Sequence, residues 1–306
     1  MKALVTGATG FVGGRLVEAL SERGADVRCL VRDADRAKHL ADAGHELHEG
    51  DVLRPETLAG AGRGADVAYY LVHSMGRGSD DEDFEARERR AAKAFAEVAE
   101  REGVKRVIYL GGLGDQPGSA HLRSRHLTAT ILAEHGPPLT YFRAAMVVGA
   151  KSESYRTLKS LVERLPAMLA PRWLSTTTQP IAIDDAVEYL AQAPEVEASA
   201  GREVQIGGPD VLSYGEMLDE MARVLGKRPR PKLPVPVLSP RLSAMWIGLV
   251  TPVDTGVARP LVEGLSTRTV VTDRSGSEAF GVEPTPFREA LCRAHAEETG
   301  RVPAAA

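Results

Sequence analysis

Residues Val5 to Gly14 read V-T-G-A-T-G-F-V-G-G, with glycines at positions 7, 10 and 13. Glycines at this spacing bind a dinucleotide when a strand leads into them and a helix leads out. Here the apolar run Lys2 to Val5 precedes the motif, and an amphipathic pattern from Phe11 to Arg23 follows it. Gly7 permits the tight turn, Gly10 lets the backbone approach a pyrophosphate, and Gly13 lets the helix pack against the strand. Thr9, Phe11 and Val12 fall where free backbone N–H groups and the positive end of a helix dipole face the phosphates. The motif lies five residues into the chain with no apolar leader before it, so this strand is expected to be the first of its domain.

Two later strand ends bear on the same ligand. Ala25 to Val31 is a second apolar strand, ending in Val31-Arg32-Asp33. A cofactor with free ribose hydroxyls is usually held here by a carboxylate, whereas an arginine suits a 2′-phosphate. Arg32, followed by Arg36 and Lys38, therefore points to NADP(H), with Asp33 available for the ribose role and a solvated strand-end arginine as the plain alternative. Gly50-Asp51-Val52 closes a third strand, where Asp51 can meet the adenine amino group and Val52 the ring. With Pro55 close behind, Asp51 serves equally well as a helix cap.

Other residues fall at the carboxyl ends of strands, where open α/β sheets bind ligands. Leu71, Val72 and His73 end the fourth strand on the cofactor side, and Ser74 and Met75 follow toward a substrate. A polar strand exit with a glycine turn explains His73-Ser74-Met75-Gly76 as readily. Ala144 and Ala145 end a later strand with small side chains that allow close approach to a nicotinamide ring. Met146, Tyr155, Trp173 and Trp246 are candidate walls of an apolar substrate pocket, or simply core. His45 and His48 would point to opposite faces of a strand, and no G-x-S-x-G elbow occurs, so neither a metal nor a covalent nucleophile is expected.

Thr6 to Gly13, Arg32, Asp51-Val52 and the strand Tyr69 to His73 resemble the extended and atypical short-chain dehydrogenase/reductase superfamily, and within it the NmrA-like NAD(P)-binding group. The likeness continues through Val104 to Gly112, Tyr141 to Ala144, Gln179 to Asp185 and Gly207-Gly208-Pro209. It implies a reductase in which a serine ends strand five and a tyrosine precedes a lysine by four residues; the tyrosine moves the proton and the lysine lowers its pKa. This chain departs at all three places. Strand five ends in Gly111-Gly112, and the tyrosine-lysine positions fall on His121-Leu122-Arg123-Ser124-Arg125. Arg125 can position a ribose but cannot share a proton near neutral pH. His121 is the candidate proton donor, since an imidazole titrates near pH ~6.5; a surface loop histidine is its alternative. Ser124 and Tyr109 are weaker candidates. Hydride transfer to a carbonyl, enone or quinone does not strictly require a tyrosine. The missing groups also suit a non-catalytic NADP(H)-binding redox sensor or scaffold.

The elements that must position these groups are legible from periodicity. Apolar strands alternate with helical patterns from residue 1 to about 150, predicting a doubly wound parallel sheet that binds the cofactor. Residues 151–306, rich in proline, are expected to form a smaller substrate lobe, with segments near Pro180 to Ile183 and Val204 to Ile206 returning to the main sheet or its edge. Helices are expected over Asp80 to Arg101, Ser154 to Leu165, Ser213 to Gly226 and Pro240 to Leu249, and Asp184-Asp185 reads as a helix start. The helix from Asp80 often helps form a dimer in the resembling superfamily, so the resemblance implies a possible homodimer.

The chain has 306 residues, 43% hydrophobic and 26% charged, with a net charge of −4 that argues against a nucleic-acid partner. Two cysteines, Cys29 and Cys292, suggest no disulfide framework and a cytoplasmic setting. No stretch reaches the ~20 apolar residues of a spanning helix; the nearest, Leu242 to Val253, is broken by Pro252.

Overall fold

The computed structural model describes residues 1–72, 81–114, 120–165, 168–170, 172–234 and 265–300. Strands β1 (Lys2–Thr6), β2 (Asp26–Val31), β3 (Glu46–Glu49), β4 (Val67–Tyr70), β5 (Arg106–Gly112), β6 (Leu139–Ala144) and β11 (Glu203–Ile206) form one sheet in the order β11-β6-β5-β4-β1-β2-β3. Every neighbouring pair in it is parallel. Strand order reverses between β1 and β4, which opens a crevice at their carboxyl ends, the position at which such sheets bind ligands.

Because side chains alternate along a strand, each strand feeds two cores. Val5, Cys29, Tyr69, Ile108 and Phe142 pack under helices α1 (Phe11–Glu22) and α6 (Ile183–Gln192). Leu4, Leu30, Tyr70, Tyr109 and Tyr141 face α3 (Asp81–Arg101) and α4 (Ala120–His135). The sheet is thus an α/β sandwich of the Rossmann type, as its periodicity predicts. Helix α3 shows why: Ala91, Ala92, Phe95, Val98 and Ala99 recur at helical spacing and are buried, while Arg89, Lys93, Glu97 and Glu100 are exposed. The short helix α2 (Lys38–Asp42) leads into β3.

After β6 the chain leaves the sheet. Strands β7 (Val147–Val148) and β10 (Ile181–Ala182) pair in parallel; β8 (Met168–Ala170) pairs with β13 (Lys232–Pro234), and β9 (Thr177–Thr178) with β12 (Leu212–Ser213). Helices α5 (Glu153–Arg164), α7 (Tyr214–Val224) and α8 (Phe287–Thr299) enclose a third core containing Tyr155, Leu158, Met217, Met221 and Leu291. Ser152 caps α5 by accepting from the Tyr155 N–H, and Ser213 with Glu216 forms the capping box of α7. Residues 183–206 do not belong to this lobe: α6 packs beside α1, and β11 extends the main sheet past β6. Asp184 and Asp185 lie in the first turn of α6, where Asp185 accepts the N–H and hydroxyl of Thr285. Of the expected helices, Pro240 to Leu249 lies outside the described residues.

Candidate functional site

The crevice begins at the turn from β1 into α1. Gly7 has φ +67, and a Cβ there would lie 2.7 Å from the Leu71 carbonyl oxygen at the exit of β4. A Cβ on Gly13 would collide with the Gly7 carbonyl, so the helix start presses directly on the turn. The Gly10 N–H donates to Gly7 O at 2.8 Å, and the helix ladder opens with Gly14 N–H to Gly10 O. No side chain caps α1 at Gly10, and Thr9 and Gly10 are exposed. Its first N–H groups therefore face open space with the positive dipole end behind them. A tight turn that accepts no Cβ at 7 or 13, at an uncapped helix N-terminus, fits a pyrophosphate.

Thr6, at the end of β1, ties the two strands that flank the crevice. Its buried hydroxyl donates to Tyr69 O at 3.0 Å and accepts the Leu71 N–H at 2.9 Å. Leu71 and Val72 leave β4 half-buried beside the loop. Phe11 and Val12 are also half-buried, and the Phe11 ring reaches the chain just after β7, where a Cβ on Gly149 would lie 2.7 Å from Phe11 Cζ.

At the end of β2 the guanidinium of Arg32 is exposed, with no ion pair among the described residues. Arg36 and Lys38 are exposed next to it in sequence, and the Arg36 N–H is received by Asp33 Oδ1 at 3.0 Å. Asp33 thus spends one carboxylate oxygen on its own turn. Asp51 does likewise: Oδ1 accepts the Leu53 N–H at 2.9 Å and Oδ2 stands 4.0 Å from Arg54. That is a local turn and not the expected helix cap, since the 3-10 helix Pro55–Leu58 starts from Arg54 with no side-chain cap; Val52 beside it is buried.

On the other side of the crevice, β5 ends without side chains. A Cβ on Gly111 would lie 2.6 Å from the Tyr141 ring, and one on Gly112 would lie 2.6 Å from Leu122 Cδ2 and 3.4 Å from Arg125 Cδ. Packing therefore fills the space a serine would take, and the Arg125 stem lies over the end of β5. Tyr109 faces the α3 and α4 layer, where burial pushes its phenol up to about 12. Ser124 is buried. His121 occupies the first turn of α4, and its side chain lies outside the described residues, as do His73, Ser74, Met75 and Trp246.

Ala144 is buried at the end of β6 with its carbonyl accepting the Leu113 N–H, while Ala145 and Met146 are half-buried along the same edge. Tyr155 stands apart from them. It is fully buried in the lobe core, and its hydroxyl donates to Glu298 Oε2 at 2.9 Å, which makes it a helix tie and removes it from any pocket wall. Trp173 is half-buried in the same lobe, edge-on to Tyr214 at 6.2 Å. Among the described residues, no group of histidine, cysteine and acidic side chains has metal-binding geometry, and no helix is long and apolar enough to cross a membrane.

Residues 7–147 match the family model described as NAD(P)H-binding. The matched stretch contains the glycine loop, Arg32 and Asp51, on which the resemblance stated above rests. Among relatives, the chain is 27% identical over 250 residues to NADH dehydrogenase [ubiquinone] 1 alpha subcomplex subunit 9, mitochondrial, of Arabidopsis thaliana, covering 77% of this chain and 61% of that protein. It is 26% identical over 229 residues to a ceramide reductase of Caulobacter vibrioides, covering 74% and 71%. The triphenylmethane reductase of Citrobacter sp., solved with NADP(H), superposes with a TM-score of 0.75 at 19% identity over 96% of this chain and all of that one, which is a likeness of fold.

Proposed function

We propose that the protein is an NADP(H)-dependent oxidoreductase that passes hydride to or from a small, apolar carbonyl, enone or quinone. The observation that carries the cofactor choice is the exposed guanidinium of Arg32 at the end of β2, which has no ion pair among the described residues, with Arg36 and Lys38 nearby in sequence and a carboxylate oxygen of Asp33 already engaged. A planar guanidinium in that position suits a 2′-phosphate, and a carboxylate engaged in its own turn suits ribose hydroxyls poorly.

In this reading Gly7, Gly10 and Gly13 shape the loop, and the N–H groups of Phe11 and Val12 receive the pyrophosphate. Leu71, Val72 and His73 flank it. The bound nucleotide supplies or takes the hydride. Arg125 orients the nicotinamide ribose from above Gly112, and Ala144 and Ala145 leave room for the ring. His121 exchanges the proton, while Ser74, Met75, Met146, Trp173 and Trp246 enclose the acceptor and exclude water.

A second reading, an NADP(H)-binding redox sensor or scaffold, is favoured by one observation: the hydroxyl-bearing position at the end of β5 is glycine, and its space is filled by Tyr141 and Leu122. The homodimer stays part of the proposal. The face of α3 available for it is charged, carrying Glu85, Arg89, Arg90, Lys93, Glu97 and Glu100, so pairing there would be polar; sedimentation at low and high salt tests it.

The deciding experiment uses NADPH labelled with deuterium at C4 in either stereochemical form, incubated with a broad metabolite and quinone mixture and read by mass spectrometry. A deuterated product supports the reductase and identifies its acceptor class. Tight NADPH binding with no labelled product overturns the reductase reading for that mixture and supports the sensor.

A further inference from the structure

The chain leaves β5 through Gly112, Leu113 and Gly114, and this short backbone is held more elaborately than a strand exit needs. Gly114 has φ +133, a conformation that favours glycine, and its Cβ position faces Leu122 Cδ1 and Thr267 Cγ2 at 3.3 Å and Thr269 Cγ2 at 3.5 Å. Its carbonyl accepts two donors, Arg143 Nη2 at 2.8 Å and His126 Nε2 at 3.1 Å. Arg143, buried on β6, also donates from Nε to Gly112 O at 3.3 Å and from Nη1 to Glu203 Oε1 at 2.6 Å on β11.

A carbonyl has no proton to give, so the tautomer that bonds Gly114 carries its proton on Nε2; the same nitrogen also lies 3.3 Å from Arg143 Nη2, itself a donor. Nδ1 is then the acceptor, and the Tyr141 hydroxyl meets it at 3.2 Å. The imidazole is held between Gly114, Arg143 and Tyr141, with the Tyr141 ring edge-on to it at 6.1 Å. Breaking one partner of such a charge-assisted set, with Arg143 buried and His126 half-buried, leaves the others less well satisfied, so the arrangement holds as a unit.

This backbone runs beside Ala144 to Met146 at the edge where the reading above puts the nicotinamide and acceptor. It carries no side chain at 112 or 114 that could orient a ligand itself. We infer that His126 and Arg143 are positioning residues for that reaction: they lock the Gly112 to Gly114 peptides into one conformation, so that rigid backbone replaces the absent serine in orienting the acceptor. The inference rests on the oxidoreductase reading, and its test separates the two.

Full-length wild type, His126→Phe and His126→Gln are compared for NADPH affinity, for kcat and KM with the acceptor found by deuteride transfer, and for hydrogen exchange of the peptide spanning 108–114 with and without NADPH. The carboxamide of glutamine retains an N–H donor for Gly114. Expected are NADPH affinities within about twofold for all three, a loss of kcat of about tenfold in His126→Phe, and recovery of most of it in His126→Gln. Exchange at 108–114 should rise in His126→Phe alone. A purely structural role would instead lower the cofactor-binding fraction and activity in parallel, with kcat per binding site unchanged, and that result overturns the inference. If wild type turns over no acceptor, the oxidoreductase reading fails by itself, and exchange decides whether His126 immobilises the strand exit: equal protection in wild type and His126→Phe overturns it.

Discussion

Replacing Arg32 with alanine is the sharpest test of the cofactor assignment, because this side chain has no protein partner to lose among the described residues. Whatever changes is therefore a change in ligand binding, with folding stability expected to move by less than ~0.5 kcal/mol. A charge pair about 4 Å apart is worth ~4 kcal/mol at the effective dielectric of a protein surface and ~1 kcal/mol in bulk water. Arg32 is exposed, and Arg36 and Lys38 remain to attract the same phosphate, so the lower part of that range applies. A loss of about 1.4 to 2 kcal/mol corresponds to a weakening of NADPH binding by roughly 10- to 30-fold. NADH carries no 2′-phosphate and should change by less than about twofold. Titration calorimetry with both cofactors, repeated at high salt, measures this; screening should shrink the NADPH effect and leave NADH alone. Equal losses for the two cofactors, or an NADPH effect insensitive to salt, would refute the assignment.

Gly13→Ala should cost about 1 to 3 kcal/mol and remove cofactor binding, since its Cβ meets the rigid Gly7 carbonyl; thermal melts with and without NADPH would show a lowered Tm and no ligand-induced rise. Tyr155→Phe should lower Tm by about 2 °C through loss of one hydrogen bond worth about 1 kcal/mol, and leave KM for the acceptor unchanged; a raised KM would return Tyr155 to the pocket wall. Burial pushes the Glu298 carboxyl up, but bonds from Lys159 and Tyr155 outweigh it, and its pKa lies below the ordinary value. The sign follows: this stabilisation is present above the unfolded pKa of about 4.3 and is lost as pH falls through the lowered folded value. Denaturant melts of wild type and Glu298→Gln should therefore differ at neutral pH and converge in acid, and a gap independent of pH would contradict it.

Much of the fold was readable because its signals are local. Strand and helix periods differ, and β1, α1, β2 and α3 each carry an unbroken version of one of them. The glycine loop was readable for the same reason, as the turn, the close approach and the helix start lie within seven consecutive residues. Helix α7 announced itself through Ser213, Glu216 and Gly226, and the observed capping box uses the first two.

Residues whose role depends on partners distant in sequence were not readable. Tyr155 shows the apolar character of a pocket wall, and only the approach of Glu298, 143 positions later, makes it a helix tie. Asp51 admitted two roles, and the turn at Leu53 and Arg54 engages its carboxylate. Thr6 lies in the middle of the motif, yet its hydroxyl acts on β4, some 63 residues away. His126 resembled any helical polar residue until β5, β6 and α4 were brought together around Gly114.

The sequence by itself determined that this chain folds as a doubly wound parallel sheet with a dinucleotide loop after its first strand, because periodicity and glycine geometry act over a few residues. The tertiary structure decided that Ile181–Ala182, expected at the main sheet or its edge, pairs with β7 instead, that a Cβ at the end of β5 would meet Tyr141 or Leu122, and that a buried arginine and a half-buried histidine converge on the Gly114 carbonyl. Those outcomes depend on which strands become neighbours, and neighbours are set by burying all three cores at once.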